Sequence, residues 1–250
     1  MLSNSKIKIL KSLKLKKFRQ KYNKFIVEGE KIAEQILRSN KFQVDSIYAL
    51  DEFQISNKNL LTSFNEKLSI VKPSELERIS LLKTPNKVLL VLDIPQKSEL
   101  KAFNTNALYL DKIQDPGNLG TIIRIADWFN VPDIYCSVDS AEVYNPKVIQ
   151  ATMGSFLRTN VHYCNFEEVL DKNPGINTYA AVLNGDVVYK KQWGEKNLIV
   201  IGNESKGISK EVIENCNETI TIPKLNADRD TESLNASVAC GIILSHLSMT

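Results

Sequence analysis

Residues 107–130 read ALYLDKIQDPGNLGTIIRIADWFN. Ala107–Asp111 is an apolar run ending on a carboxylate, which predicts a buried strand. Asp115-Pro116-Gly117-Asn118 is a tight turn, and Asn118 is placed to cap the next helix. That helix is read over Gly117–Asn130, with Ile122, Ile123, Ile125, Ala126 and Phe129 as its apolar residues. Strand, turn and helix in this order form the repeating unit of a parallel sheet.

The alternation continues outward. Downstream, Asp133–Ser137, Thr159–Cys164, Asn177–Leu183, Asn197–Gly202 and Glu218–Ile222 read as strands. Helices are expected at Asn145–Met153, Phe166–Asp171, Lys210–Cys216 and Ser233–Ser248, with Asn145 and Ser233 as caps. Upstream, Lys24–Gly29, Val44–Leu50, Ser69–Lys72 and Lys87–Leu92 read as strands, with helices at Glu30–Arg38 and from Pro73. A polar stretch at 96–106 breaks the pattern and reads as a linker. The fold class expected is α/β. Residues 107–250 form a mostly parallel sheet with helices on both faces, preceded by a smaller α/β domain over 1–95.

Composition bounds the function. The chain has 250 residues, 43% hydrophobic and 24% charged, ordinary values for a globular protein. No apolar run approaches the roughly 18–20 residues of a bilayer span, and no signal-peptide core comes after the basic start, so a cytoplasmic address is expected. Four scattered cysteines without a Cys-x-x-Cys pair argue against a disulfide framework or structural zinc. The two histidines, His162 and His246, lack neighbouring ligands in the sequence, so no metal is expected and a Ser-His triad has no support. Net charge is only +3, but residues 1–24 carry nine Lys or Arg and no Asp or Glu. Such a segment attracts a polyanion, RNA above all, although a solvated helix face explains it equally well.

Three polar loops come after predicted strands, where ligands of open α/β sheets gather. The first runs from Asp111 to Arg124. Arg124 lies six residues after Asn118, about 1.7 helical turns, so both could serve one site. The second is Gly202-Asn203-Glu204-Ser205-Lys206-Gly207, where Gly202 permits close backbone approach. The third joins Ile222-Pro223 to Ser233-Leu234-Asn235. Capping accounts for Ser233 but not for Asn235. Neither the glycine-rich turn of a Rossmann fold nor a P-loop is present, which disfavours a dehydrogenase or an ATPase.

Asp111–Phe129, Leu198–Ser209 and Ile222–Ala239 together resemble the three ordered motifs of the SpoU–TrmH (SPOUT) family of RNA 2′-O-ribose methyltransferases. The first half more loosely resembles the RNA substrate-binding domain that precedes the catalytic domain in many members. The resemblance implies a C-terminal sheet tied in a trefoil knot, a homodimer with the site near its interface, and S-adenosyl-L-methionine as methyl donor. It assigns the polar active-site positions to Asn118, Arg124, Glu204, Ser233 and Asn235. Donor-contacting positions fall on Gly202, Ile222 and Leu234, with Leu183 as a further candidate. By analogy the two-domain layout favours ribosomal over transfer RNA. Lys224–Glu232, with Asp228, Arg229 and Asp230, is longer and more charged than the family pattern, which puts the pocket rim there in doubt. A non-catalytic RNA-binding protein on this scaffold and a SPOUT base methyltransferase are the competing readings.

Overall fold

The computed structural model describes residues 2–96, 99–225 and 232–249. Asp228, Arg229 and Asp230 lie outside the described residues. The chain divides into two compact units, Met1–Lys97 with Tyr144–Leu157 and Ser98–Val143 with Arg158–Thr250.

The first unit opens with helices α1 (Asn4–Ser12) and α2 (Lys16–Tyr22). Strand β1 (Lys24–Glu28), helix α3 (Glu30–Ser39) and strand β2 (Val44–Ala49) come next. Two short helices, α4 (Asp51–Ser56) and α5 (Lys58–Leu61), lead to β3 (Leu68–Ile70), α6 (Pro73–Ile79) and β4 (Val88–Asp93). The sheet order is β1-β4-β2-β3, antiparallel except between β2 and β3. β4 is central and buried along nearly its whole length, which is why its sequence is a continuous apolar run rather than an alternating one.

The second unit contains β5 (Ala107–Asp111), α7 (Pro116–Trp128) and β6 (Asp133–Cys136). The chain then forms α8 (Pro146–Thr152), which belongs to the first unit. It continues through β7 (Asn160–Tyr163), α9 (Phe166–Lys172), β8 (Asn177–Val187) and β9 (Asn197–Gly202). Helix α10 (Lys210–Glu214), β10 (Glu218–Thr221) and α11 (Ala236–Leu247) complete it. The six strands lie in the order β10-β8-β9-β5-β6-β7, and every ladder is parallel. The α/β class and the parallel sheet match the expectation.

Helices cover both faces because the strands present apolar side chains to both. Ala107 and Tyr109 of β5 join a core with Phe166 and Val169 of α9 and Val212 of α10. Leu108 and Leu110 point the other way and are equally buried. Helix α11 packs on α7 and β9, with Ile125 of α7 against Gly241 of α11.

Two regions differ from the sequence reading. Within residues 107–250, Tyr144–Leu157 clusters with the first unit. There the Tyr144 ring meets Phe25 at 4.5 Å, and Gln150 donates to the Glu28 carbonyl at 2.9 Å. Periodicity reports which face of a helix is apolar, not which core covers it. The other difference is at 51–67, where the structure adds two short helices and a 3-10 segment. Segments of four to six residues are too short to show a helical period.

Candidate active site

β5 lies between β9 and β6, and Asp111 is paired with Gly202 in the β5–β9 ladder. The two strands therefore end at the same level. Their loops leave side by side although Lys112 and Asn203 are 91 residues apart in sequence. At this pair the strand order reverses direction, which makes a crevice at the carboxyl edge of the sheet.

The first loop turns into α7 through Asp115. Its Oδ1 accepts from the Asn118 backbone N–H at 2.8 Å, and Pro116 occupies the first helical position. Asp115, not Asn118, is therefore the cap, and the side chain of Asn118 is left for other work. The Asp-Pro pair carried this signal in the sequence.

The second loop is closed by Asn203 and Gly207, whose backbones exchange hydrogen bonds of 3.1 and 2.8 Å. Gly207 has φ +68°, a conformation that favours glycine. A methyl group on Gly202 would overlap the backbone of Gly207 and Ile208, 2.7 Å from the Gly207 carbonyl oxygen. The close approach expected at Gly202 is thus made by its own loop. Asn203 pins the turn. Its Oδ1 accepts from the N–H groups of Ser205 and Lys206, and its Nδ2 donates to the Lys112 carbonyl at 2.9 Å. Buried Asp111 accepts from the Ser209 N–H at 2.6 Å, tying the end of β5 to the start of α10. Neither Asn203 nor Asp111 stands out as a site residue in the sequence.

The third loop enters α11 through Asn235, which caps the helix by accepting from Ser237 N–H and Val238 N–H. The helix begins at Ala236, so Ser233 is not its cap, and capping does account for Asn235 after all.

The three loops meet in one chain of hydrogen bonds. Asn235 Nδ2 donates to Asn118 Oδ1 at 2.9 Å, and Asn118 Nδ2 donates to the Glu204 carboxylate. The orientation of both amides is forced. Backbone N–H groups of α11 can only donate, so Asn235 must turn its oxygen toward them and its NH₂ toward Asn118. Asn118 must then face Glu204 with its own NH₂. The positive end of the α11 dipole is thus linked through two amides to a carboxylate.

The remaining candidates are placed differently. Arg124 is exposed on α7 and, among the described residues, has no hydrogen bond or ion pair. Six residues along an α-helix turn about 240°, so it does not share the face of Asn118. Ser233 is exposed and makes no bond to the cluster among the described residues. Leu183, 69% exposed, lies in β8, where its carbonyl accepts from Thr221 Oγ1 at 2.9 Å, next to partly buried Ile222. Leu234 is half-exposed beside Asn235. The β8–β9 ladder ends at Ala180↔Val200, so Ile201 and Gly202 extend beyond it.

Histidine and cysteine stand apart from the cluster. His162 lies 3.7 Å from Asp133 and stacks on Tyr135. His246 packs against Trp193. Burial pushes the thiols of Cys164 and Cys240 up to about 12 and that of Cys216 up to about 11. Burial pushes Cys136 up as well, so none is a thiolate at neutral pH.

Residues 105–245 match the SpoU rRNA Methylase family. This chain belongs to the SpoU rRNA methylase family. Within it, residues 4–90 match the MRM3-like substrate binding domain. A relative from Bacillus subtilis, the 23S rRNA (guanosine(2553)-2′-O)-methyltransferase RlmP, is 30% identical over 98% of this chain and 96% of its own length. A candidate RNA methyltransferase of the TrmH family from Porphyromonas gingivalis superposes with a TM-score of 0.88 at 32% identity, covering 98% of each chain. The AdoMet-bound rRNA methyltransferase from Sinorhizobium meliloti shares the fold, with a TM-score of 0.87 at 22% identity over 98% of this chain and 95% of that one.

Proposed function

We propose that this protein transfers a methyl group from S-adenosyl-L-methionine to a ribose 2′-hydroxyl of large-subunit ribosomal RNA. The observation that carries the proposal is the Asn235–Asn118–Glu204 relay, which joins three distant loops at the carboxyl edge of the sheet in a chain of this family. Ribosomal rather than transfer RNA is favoured by the Bacillus subtilis relative, which is named for a guanosine of 23S rRNA.

The residues assigned to the donor suit its chemistry. Leu183, Ile222 and Leu234 offer apolar surface for an adenine and a thioether chain. The end of β9 beyond the β8 ladder offers backbone polar groups. When bound, S-adenosylmethionine supplies an electrophilic methyl group on a sulfonium centre. The chain's own task is to bring the ribose oxygen in line and to lower the cost of its charge. Positioning supplies much of the acceleration. The Arg124 guanidinium acts on the developing alkoxide and the adjoining phosphate. Glu204, held by the relay, orients the ribose, with Ser233 completing the polar rim.

The proposal includes a second copy of the chain and a trefoil thread. Arg124 lies about 120° around α7 from Asn118, and Trp128, on the same side of α7 as Arg124, is 83% exposed. Val238 of α11 is half-exposed too. A pair of copies that buried this surface would carry each Arg124 toward the partner's crevice. The thread is what membership of this family implies.

The protein incubated with donor and unmodified ribosomal RNA should yield a 2′-O-methylated dinucleotide that resists nuclease P1, identified by mass spectrometry. A methylated base would redirect the activity to base chemistry, and no product would leave an RNA-binding protein. Asn235→Asp keeps an oxygen on the α11 N–H groups but loses the donor to Asn118. We expect its stability to stay within about 0.5 kcal/mol of the parent while transfer falls roughly ten-fold or more. Asn235→Ala should cost about 1–2 kcal/mol in addition. Parental turnover by Asn235→Asp would show that the relay has no part in the reaction.

A further inference from the structure

The basic start of the chain is not one surface. Arg19, 1% exposed, donates to the carbonyls of Leu13 and Lys14, both at 2.9 Å, and fixes the α1–α2 turn. Lys11 donates to the Ser80 carbonyl, and Lys24 is paired with Asp45 and Asp93 at 2.7 and 2.6 Å. These three cations serve the fold. Lys14, Lys16, Lys17 and Lys21 are exposed and have no ion pair among the described residues. Lys17 and Lys21 stand one turn apart on a seven-residue helix that has no acid. Like charges at this spacing destabilise a helix, so an anionic partner would relieve a cost that the free protein bears.

Aromatic rings lie among these lysines. Phe18 stacks on Tyr22 with ring centroids 6.3 Å apart and planes 13° from parallel. Lys17 Nζ is 5.1 Å from the Phe18 centroid and Lys21 Nζ 5.5 Å from that of Tyr22. Tyr22 also packs on the core of the first unit, to which Phe18 does not belong. The stack is therefore anchored at Tyr22, with Phe18 partly buried outside that cluster.

We infer that α2 is a single-stranded RNA platform, on which Lys14, Lys16, Lys17 and Lys21 hold phosphates and Phe18 takes one unpaired base. The inference rests on the proposed RNA substrate and names the surface and nucleic-acid form that it uses. Sequence-tolerant binding of single strands combines these two elements, a basic track and an aromatic face. In an A-form duplex the base faces are already stacked and the deep groove excludes side chains. A membrane surface is disfavoured, because so short a helix has too little apolar area to insert.

The test is fluorescence anisotropy of the full chain with a labelled unstructured RNA of about 15 nucleotides, the same strand as a duplex, and phosphatidylserine vesicles. Phe18→Ala should weaken single-strand binding roughly ten-fold, the loss of one stacked base, with duplex binding and salt dependence unchanged. Phe18→Trp should retain affinity, which separates lost stacking from lost folding. The triple variant Lys16→Gln, Lys17→Gln, Lys21→Gln should reduce the slope of log affinity against log salt by about 2, at about 0.7 per phosphate on a single strand. Thermal unfolding on the same preparations should match the parent. Unchanged single-strand affinity in Phe18→Ala, an equal loss on duplex, or a preference for vesicles would each overturn the platform. Donor binding and methyl transfer by the unaltered chain are measured in parallel. Transfer with no effect of the variants would remove the platform alone; the expected losses without transfer would remove the catalytic reading alone.

Discussion

Arg124→Ala is expected to lower methyl transfer roughly 10²–10³-fold, the usual loss when one donor to a developing oxyanion is removed. S-adenosylmethionine affinity should stay at the parental value, because the apolar groups proposed to hold the donor lie on other segments of the chain. Stability should hardly change, since the side chain is exposed and has no partner among the described residues. Arg124→Lys should recover little of the rate, for a point charge does not reproduce the two-pronged contact of a guanidinium. Isothermal calorimetry and a tritiated-methyl assay on the same samples separate these effects. The orientation of Arg124 adds a sharper expectation. If it acts across a pair of copies, mixing inactive Arg124→Ala with inactive Gly202→Ala creates hybrids with one intact site. Random pairing should then restore about a quarter of parental activity. A mixture as inactive as its components would place Arg124 in its own chain's reaction, and near-parental turnover by Arg124→Ala would remove it from the chemistry.

Gly202→Ala should abolish donor binding, with affinity reduced more than about a hundred-fold, and should cost about 1–3 kcal/mol of stability through overpacking. The added methyl has nowhere to go, because the space is filled by the backbone of Gly207 and Ile208 rather than by a movable side chain. Relief requires the Asn203–Gly207 turn to open. That turn carries Glu204, and its displacement also breaks the bond from Asn118. Gly207→Ala is the control. Its methyl would meet nothing within 4 Å, but φ is +68°, so only the left-handed backbone cost of about 1–2 kcal/mol applies. Calorimetric titration with donor and thermal unfolding distinguish the two variants. Donor binding of parental strength in Gly202→Ala would mean that the turn yields freely and that the close packing at Gly202 is incidental.

These expectations draw on residues that differ greatly in how far they can be read from sequence. Asn118, Glu204 and Asn235 lie in polar loops after predicted strands, where an α/β sheet binds ligands, and the family resemblance singles them out. Their mutual bonding is not visible. Asn118 has the sequence of a cap, yet Asp115 holds that place; Asn235 has the sequence of an internal helical residue, yet it caps the helix. Adjacent positions compete for one cap, and the winner depends on where the preceding turn delivers the backbone. Arg19 is indistinguishable in sequence from its basic neighbours, since burial depends on how α1 and α2 fold together.

Local order in this chain is written in short-range periodicity. The alternation of strands and helices, the apolar run at the centre of each sheet, and the polar ends of Ala107–Asp111 and Asn197–Gly202 arise from which side chains avoid water. Neighbourhood is a different matter. That β9 pairs with β5, that Tyr144–Leu157 joins the first unit, and that Asn235 bonds to Asn118 were settled only by three-dimensional packing. Sheet order is chosen by the burial of whole faces, which sums over residues far apart in the chain, and no window of sequence contains that sum.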